Sequence, residues 1–399
     1  MPPILRSCLA GLCAAMLAAQ AQASTAARDL GLPFNGRPGP LDAITDVPGV
    51  LVGQATLISG AADKANGPVV RTGVTVVLPR GKDSDAAVTA GLFDLNGNGE
   101  VTGQAYLQDY GVIHGPIGIT NTNAIGQVYA GIQQWTSRRF GSAIWPVVGE
   151  TSDSTLNDIE GFHVTAETAQ AALEAARGGP VEEGGVGGGT GMICFGFKGG
   201  IGTASRIVSV AGKTYALGVL VQCNTGARRV LRLGGAPVGR ELADRWLPCT
   251  AITPPLDTEL PPCGPDGTGG RWKRDQGSII MVVATDAPLS SLQLDRLAKR
   301  AAMGLARLGS YSGNSSGDLM LAFSTAPGAN DTEHGASPTT PQLPNGDIDP
   351  LFEAAVDASE EAISNALVSA QTMTGYHGHR AYALPHDTLK AIMAKYGAQ

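Results

Sequence analysis

Six short apolar runs, at residues 74–78, 117–120, 192–197, 215–221, 279–284 and 319–323, carry almost no polar alternation. A strand with one wet face alternates polar and apolar residues, so unbroken runs of this length read as strands covered on both faces. Helical signals lie among them. Ser290 and Gln293 form a capping box ahead of Leu294, Leu297, Ala301, Leu305 and Leu308, and Gly309 stops that helix. A second helix opens at Asp349-Pro350, presents Phe352, Val356, Ile363 and Leu367, and ends before Gly375; a third covers residues 166–177 and is closed by Gly178-Gly179-Pro180. Strands sheathed by helices on two sides predict an α/β layered sandwich.

The start of the chain reads as an export signal: Arg6, an apolar stretch over 8–19, then Ala21-Gln22-Ala23 as a small-residue cleavage site. Residues 1–23 are expected to be removed, leaving a periplasmic or secreted protein that begins at Ser24. No later segment is long and apolar enough to span a membrane. A net charge of −7 without a lysine/arginine cluster argues against nucleic-acid and anionic-membrane partners, and points to a small molecule or peptide. Cys8 and Cys13 leave with the signal. Cys194 and Cys223 lie in apolar runs and read as buried small hydrophobes, whereas Cys249 and Cys263 bracket a proline-rich loop and are able to pair in an oxidising compartment.

Chemistry enters at Gly277-Ser278, between a Pro/Gly-rich loop (248–270) and the run 279–284. A hydroxyl at the first position of a core strand is held rigidly, and a preceding glycine can adopt the strained backbone that exposes its carbonyl to the following side chain. Cutting there would give Ser278 both a hydroxyl and a free amine. An α-amine titrates at about 7.7–8.0, so it can serve as the hydroxyl's own base. Taken alone, the dipeptide also fits an ordinary turn before a strand.

Other motifs fail on their context. Gly313-Asn314-Ser315-Ser316-Gly317 matches G-x-S-x-G, but a nucleophile elbow needs a strand before the serine and a helix after it, and here the order is reversed. Asp94-Leu95-Asn96-Gly97-Asn98-Gly99 starts like a calcium loop yet places Ala105 where the bidentate glutamate belongs. The glycines of 184–191 contain no G-x-G-x-x-G, and Gly212-Lys213-Thr214 lacks a P-loop's upstream glycine. The six histidines, His377 and His379 included, show no metal-site spacing and read as surface or loop residues. No cofactor or metal is expected.

The stretch Gly277-Ser278-Ile279-Ile280 through Ala284-Thr285-Asp286-Ala287-Pro288-Leu289 resembles the self-cleaving family of D-aminopeptidase/esterases and β-peptidyl aminopeptidases, peptidase family S58. The likeness continues in Ala43-Ile44-Thr45-Asp46-Val47-Pro48-Gly49-Val50, Asn96-Gly97-Asn98-Gly99-Glu100, Gly189-Thr190-Gly191-Met192, Phe195-Gly196-Phe197-Lys198-Gly199-Gly200-Ile201-Gly202-Thr203-Ala204-Ser205-Arg206 and Thr372-Met373-Thr374-Gly375. The resemblance implies a four-layer αββα sandwich, like N-terminal-nucleophile hydrolases but differently connected. It also implies self-cleavage into a large chain, 24–277, and a small chain, 278–399, both within one sandwich domain and assembled into homo-oligomers.

By the same resemblance Ser278 is the nucleophile, Ser316 and Asp318 orient its amine and relay protons, Asn224 stabilises the oxyanion, and Glu150 receives the substrate's free amine. Physical reasons run parallel. One preorganised amide donor facing a developing oxyanion lowers an acyl-transfer barrier by about 3 kcal/mol, and a buried carboxylate is costly unless a cation meets it. Two departures stand out. Ser152 occupies a position that is commonly aromatic in relatives, where a tyrosine hydroxyl helps form the oxyanion site, and the segment 248–270 is longer than in some relatives. The expected activity is removal of an N-terminal β-amino acid or small D/L residue from a short peptide, amide or ester through an acyl-enzyme on Ser278. The alternatives are an acyltransferase of the ornithine acetyltransferase type and a non-enzymatic exported peptide-binding protein.

Overall fold

A computed structural model describes residues 25–62, 67–272, 276–327 and 342–398. The expected signal segment 1–23, and most of the Pro/Gly/Asn-rich stretch 325–350, lie outside the described residues. Two sheets form the frame. The smaller contains β1 (Leu51–Ser59), β2 (Val70–Leu78), β5 (Ile117–Thr120) and β6 (Val147–Glu150), in that order. The larger has the order β4-β3-β10-β9-β8-β7, built from β3 (Val88–Gly97), β4 (Val112–Ile113), β7 (Gly200–Val210), β8 (Lys213–Asn224), β9 (Gln276–Thr285) and β10 (Ser315–Ser324). Pairing is antiparallel apart from β5 with β6 and β9 with β10.

Three apolar layers define the stack. Val74, Val76 and Leu78 of β2 pack on Val128 and Ile132 of α1 (Ile125–Phe140) and on Leu173 of α2 (Ala166–Ala175). Between the sheets, Val77, Ile119 and Val147 meet Ile280, Val282 and Leu321. Below the larger sheet, Met281, Val283 and Met320 meet Leu294 and Leu297 of α3 (Ser291–Arg307) and Ile363 and Leu367 of α4 (Asp349–Val368). The order is helix, sheet, sheet, helix. Both sides of every central strand are dry, which is why their sequences show no alternation. Successive residues of β9 divide between the inter-sheet core and the helix-side core, as the two-residue period of a strand requires.

Several expectations need correction. The run 192–197 is a small hairpin, Ile193–Cys194 pairing Phe197–Lys198, because Phe195 at φ 49° and Gly196 at φ 71° form a turn. Cys194 and Cys223 are buried but joined by a disulfide, and Cys249 pairs with Cys263. Apolar flanks hid the first pair: the hairpin returns against the end of β8, and the two Cα atoms stand 5.5 Å apart. Among the described residues no helix is long and apolar enough to cross a membrane.

Candidate active site

The Gly277-Ser278 junction lies inside β9 and not at its mouth, Ser278 being the third residue of the strand instead of the first. Ser278 stands opposite Asn224 of β8 on one side and Gly317 of β10 on the other. Gly277 has φ 110°, and a Cβ there would lie 1.7 Å from the Asn224 carbonyl oxygen. Only glycine fits so close to that backbone. Ser278 is two residues from Ile280, which belongs to the inter-sheet core, so its side chain faces the same interior; it is 6% exposed.

Asn224 is clamped. Its Oδ1 accepts from the Ile193 N–H at 2.8 Å, and its Nδ2 donates to the Ser152 carbonyl at 2.8 Å. An amide nitrogen carries two hydrogens, so one remains for a further acceptor. The disulfide partner Cys223 immediately precedes it in β8, and the Cys194 bridge ties the hairpin to this strand end.

Ser316 and Asp318 are fully buried on β10, the Ser316 hydroxyl donating to Asp318 Oδ1 at 2.7 Å and lying 3.0 Å from the Thr225 hydroxyl. Ser316 is the register partner of Gly277, and Asp318 that of Ile279. Strand alternation places these two side chains away from the face that carries Ser278's hydroxyl.

Glu150 ends β6, 4% exposed. Its carboxylate accepts from the Glu100 N–H at 3.1 Å and from the Thr122 hydroxyl. Burial raises its pKa above the ordinary carboxylate value, the hydrogen bonds opposing, and no cation contributes among the described residues. The Asn96-Gly97-Asn98-Gly99-Glu100 motif builds this corner. Gly97 pairs Gly317, the Asn96 and Asn98 amides hold the Gly313 and Ser315 carbonyls at 2.7 Å, and a Cβ on Gly99 would sit 3.2 Å from Glu150 Oε1. Asp94, the acidic start of the calcium-like motif, lies within β3.

A cavity of about 650 Å³ opens onto the junction, lined by Ser152, Ile193, Asn224 and Gly277 together with Glu259, Leu260, Arg271 and Trp272. The long segment 248–270 thus supplies part of its rim. The Ser152 hydroxyl donates to the Ser154 hydroxyl at 3.2 Å, while its backbone carbonyl holds Asn224.

Sequence reading missed two buried charged residues close to this wall. Lys198 is fully buried and donates to the Gly189, Met192 and Gly199 carbonyls at 3.2, 2.9 and 2.7 Å, fixing the glycine-rich turn that leads to Ile193. Burial lowers its pKa to about 7, with Asp153 opposing. Asp153, hydrogen-bonded to Asn157 and Asn121, is pushed up to about 6 by its own burial. A lysine inside the apolar, glycine-rich context of Phe197-Lys198-Gly199 was the available signal, since lysine is almost never fully buried without partners.

Sandwich and site together define a hydrolase class, and comparison narrows it. The model of peptidase family S58 matches residues 42–381. A β-peptidyl aminopeptidase of Sphingosinicella microcystinivorans is 50% identical over 374 residues, covering 93% of this chain and 92% of its own. One from Sphingosinicella xenopeptidilytica is 43% identical over 396 residues, covering 96% and 95%. Among solved structures, the L-aminopeptidase D-Ala-esterase/amidase of Ochrobactrum anthropi, described as a prototype serine aminopeptidase and a new variant of the Ntn hydrolase fold, matches with a TM-score of 0.81 at 40% identity, covering 94% of this chain and 99% of that one. The fold here is the same αββα variant. The chain belongs to peptidase family S58 and is a serine aminopeptidase.

Proposed function

We propose that this protein is an exported β-peptidyl aminopeptidase that activates itself by cutting Gly277-Ser278. Ser278 Oγ attacks the Gly277 carbonyl carbon, the C–N bond breaks as the nitrogen takes a proton, and water hydrolyses the resulting ester. Gly277 becomes a carboxylate and Ser278 a free amine. In turnover the same hydroxyl attacks the substrate carbonyl while the amine, positioned by Ser316 and Asp318, takes its proton and passes it to the amine or alcohol that leaves as the scissile C–N or C–O bond breaks. The spare Asn224 hydrogen meets the oxyanion, and Glu150 holds the substrate's ammonium. Water then releases the acyl group from Ser278.

The observation that carries this reading is the packing of Gly277 against Asn224: a positive-φ glycine followed by a buried serine whose strand partner carries an amide. Substrates are short peptides, amides or esters with a free amine, and the kinship to two β-peptidyl aminopeptidases favours β-amino acid residues at the N-terminus. Ser152 in place of an aromatic side chain leaves that side of the cavity open to bulk. The test is denaturing electrophoresis and mass spectrometry of purified protein. Wild type is expected as two chains split before Ser278, with Ser278→Ala uncut and inactive; normal processing of that variant refutes the mechanism. A panel of β-, D- and L-aminoacyl p-nitroanilides, free and N-acetylated, reads the substrate class, and equal turnover of the acetylated set refutes the role given to Glu150.

A further inference from the structure

We propose that Asp257, Glu259 and His379 bind a divalent transition cation, zinc being the ion that suits an imidazole and two carboxylates, at the rim of the substrate cavity. One donor atom from each residue lies within 4.8 Å of the others. Asp257 and Glu259 sit in the segment whose base is tied by the Cys249–Cys263 disulfide. His379 opens the short strand His379–Ala381, whose register partners Cys249 and Thr250 form that same base. The fold, and not a free loop, therefore brings the three together.

The decisive feature comes from outside the cluster. His379 is 1% exposed, and its Nδ1 lies 3.0 Å from the Thr155 carbonyl, which can only accept. The Nδ1 hydrogen therefore rests on that carbonyl, and Nε2 points at Asp257 Oδ1, 3.2 Å away. A histidine whose outer N–H rests on a backbone carbonyl is the usual arrangement of a metal ligand. The His379–Asp257 spacing agrees, because two ligands each about 2.0–2.1 Å from a tetrahedral zinc stand about 3.3 Å apart, and the Glu259 oxygen lies within 4.8 Å of both. The other oxygen, Asp257 Oδ2, is 2.5 Å from His377 Nδ1, the outer hydrogen bond a ligating carboxylate normally has. His377 stands at φ 52°, a conformation that residues other than glycine rarely adopt. Since Glu259 also lines the cavity, the bound ion would fix that part of the rim.

The experiment takes full-length, chelator-stripped protein, titrates it with Zn²⁺ by calorimetry and with Co²⁺ by visible absorption. One ion per chain with a micromolar or tighter Kd is expected, along with the visible bands of four-coordinate Co²⁺. Glu259→Gln, at an exposed position where folding is not at risk, and Asp257→Asn are each expected to weaken binding at least tenfold. Zn²⁺ should slow protease trimming of the segment 252–262 in wild type and not in Glu259→Gln. If wild type shows no saturable binding even in large metal excess, the proposal falls. It falls equally if both variants bind as tightly as wild type.

Discussion

Asn224 and Ser278 are register partners across β8 and β9, so strand pairing alone, without a loop, sets the residue with the amide opposite the residue with the hydroxyl. The Asn224 side chain is fixed at both ends, by the Ile193 N–H and the Ser152 carbonyl, before any substrate arrives. Such preorganisation is what makes a donor useful, because no reorganisation is left for the moment of reaction.

Asn224→Ala is expected to lower kcat by about 10²–10³, the effect of losing one oxyanion donor. It also leaves the Ile193 N–H and the Ser152 carbonyl without their partner, at a cost of about 1–3 kcal/mol for each group that stays dry. Thermal unfolding and steady-state kinetics on processed protein separate the two effects. A variant with a lowered Tm and unchanged kcat contradicts the assigned role.

Gly277→Ala places a methyl where the Asn224 carbonyl already stands and requires a positive φ that costs an L-residue about 1–2 kcal/mol before any clash. The expected outcome is an uncut chain with a lowered Tm, read by mass spectrometry and calorimetry. Efficient cleavage in this variant would show that the close packing is not needed for the cut.

The large architecture was legible because the sandwich leaves a direct mark: 279–284 and 319–323 are apolar throughout since both faces are dry. β7 escaped because Thr203, Ser205 and Arg206 look wet in sequence. Their polar groups are in fact consumed inside, Thr203 on the Val219 carbonyl, Ser205 on Asp46, and Arg206 on Glu361. His379 read as a surface residue for a related reason: its partners, Thr155 and Asp257, come from distant parts of the chain. Each of the residues expected at the site, Glu150, Asn224, Ser278, Ser316 and Asp318, occupies a strand of the two facing sheets. Motif order supplied their names, but only pairing between strands far apart in sequence supplies their neighbours.

Glu150 gives a pH signature. Burial raises its folded pKa above 4.5, so between 4.5 and that value the folded chain holds more protons than the unfolded one, and stability falls as pH rises through the window. Glu150→Gln removes this loss. Its Tm is expected above that of wild type at neutral pH and level with it below pH of about 4, while KM for free-amine substrates rises. The part of the acid limb of kcat/KM that Glu150 sets should also disappear in the variant, while the part set by the Ser278 amine stays. A Tm difference that does not vary with pH would count against a buried, titrating carboxylate.

The Cys194–Cys223 bridge closes a loop with a sequence separation of 29, which by chain entropy is worth about 3–4 kcal/mol. Replacing both cysteines by alanine should lower stability by that order. Because Cys223 adjoins Asn224 and Cys194 follows Ile193, kcat should fall as well, with KM less affected. Denaturant titration and kinetics of the double variant provide the measurement.

Lys198 tests whether the glycine-rich turn matters to the chemistry. Three carbonyls match the three hydrogens of an ammonium, so Lys198→Met keeps the volume and strands all three acceptors. Because the lysine's folded pKa is lowered to about 7 from 10.5, the unfolded chain binds more protons over that window, and this group makes wild type gain stability as pH rises through it. The Tm advantage of wild type over Lys198→Met is therefore expected to widen between neutral and alkaline pH. Loosening of the turn reaches Asn224 through the Ile193 N–H, which predicts a kcat loss in the variant even at temperatures where it is fully folded. Full kcat in a folded Lys198→Met protein would confine this lysine to stability and release the turn from any part in positioning the amide.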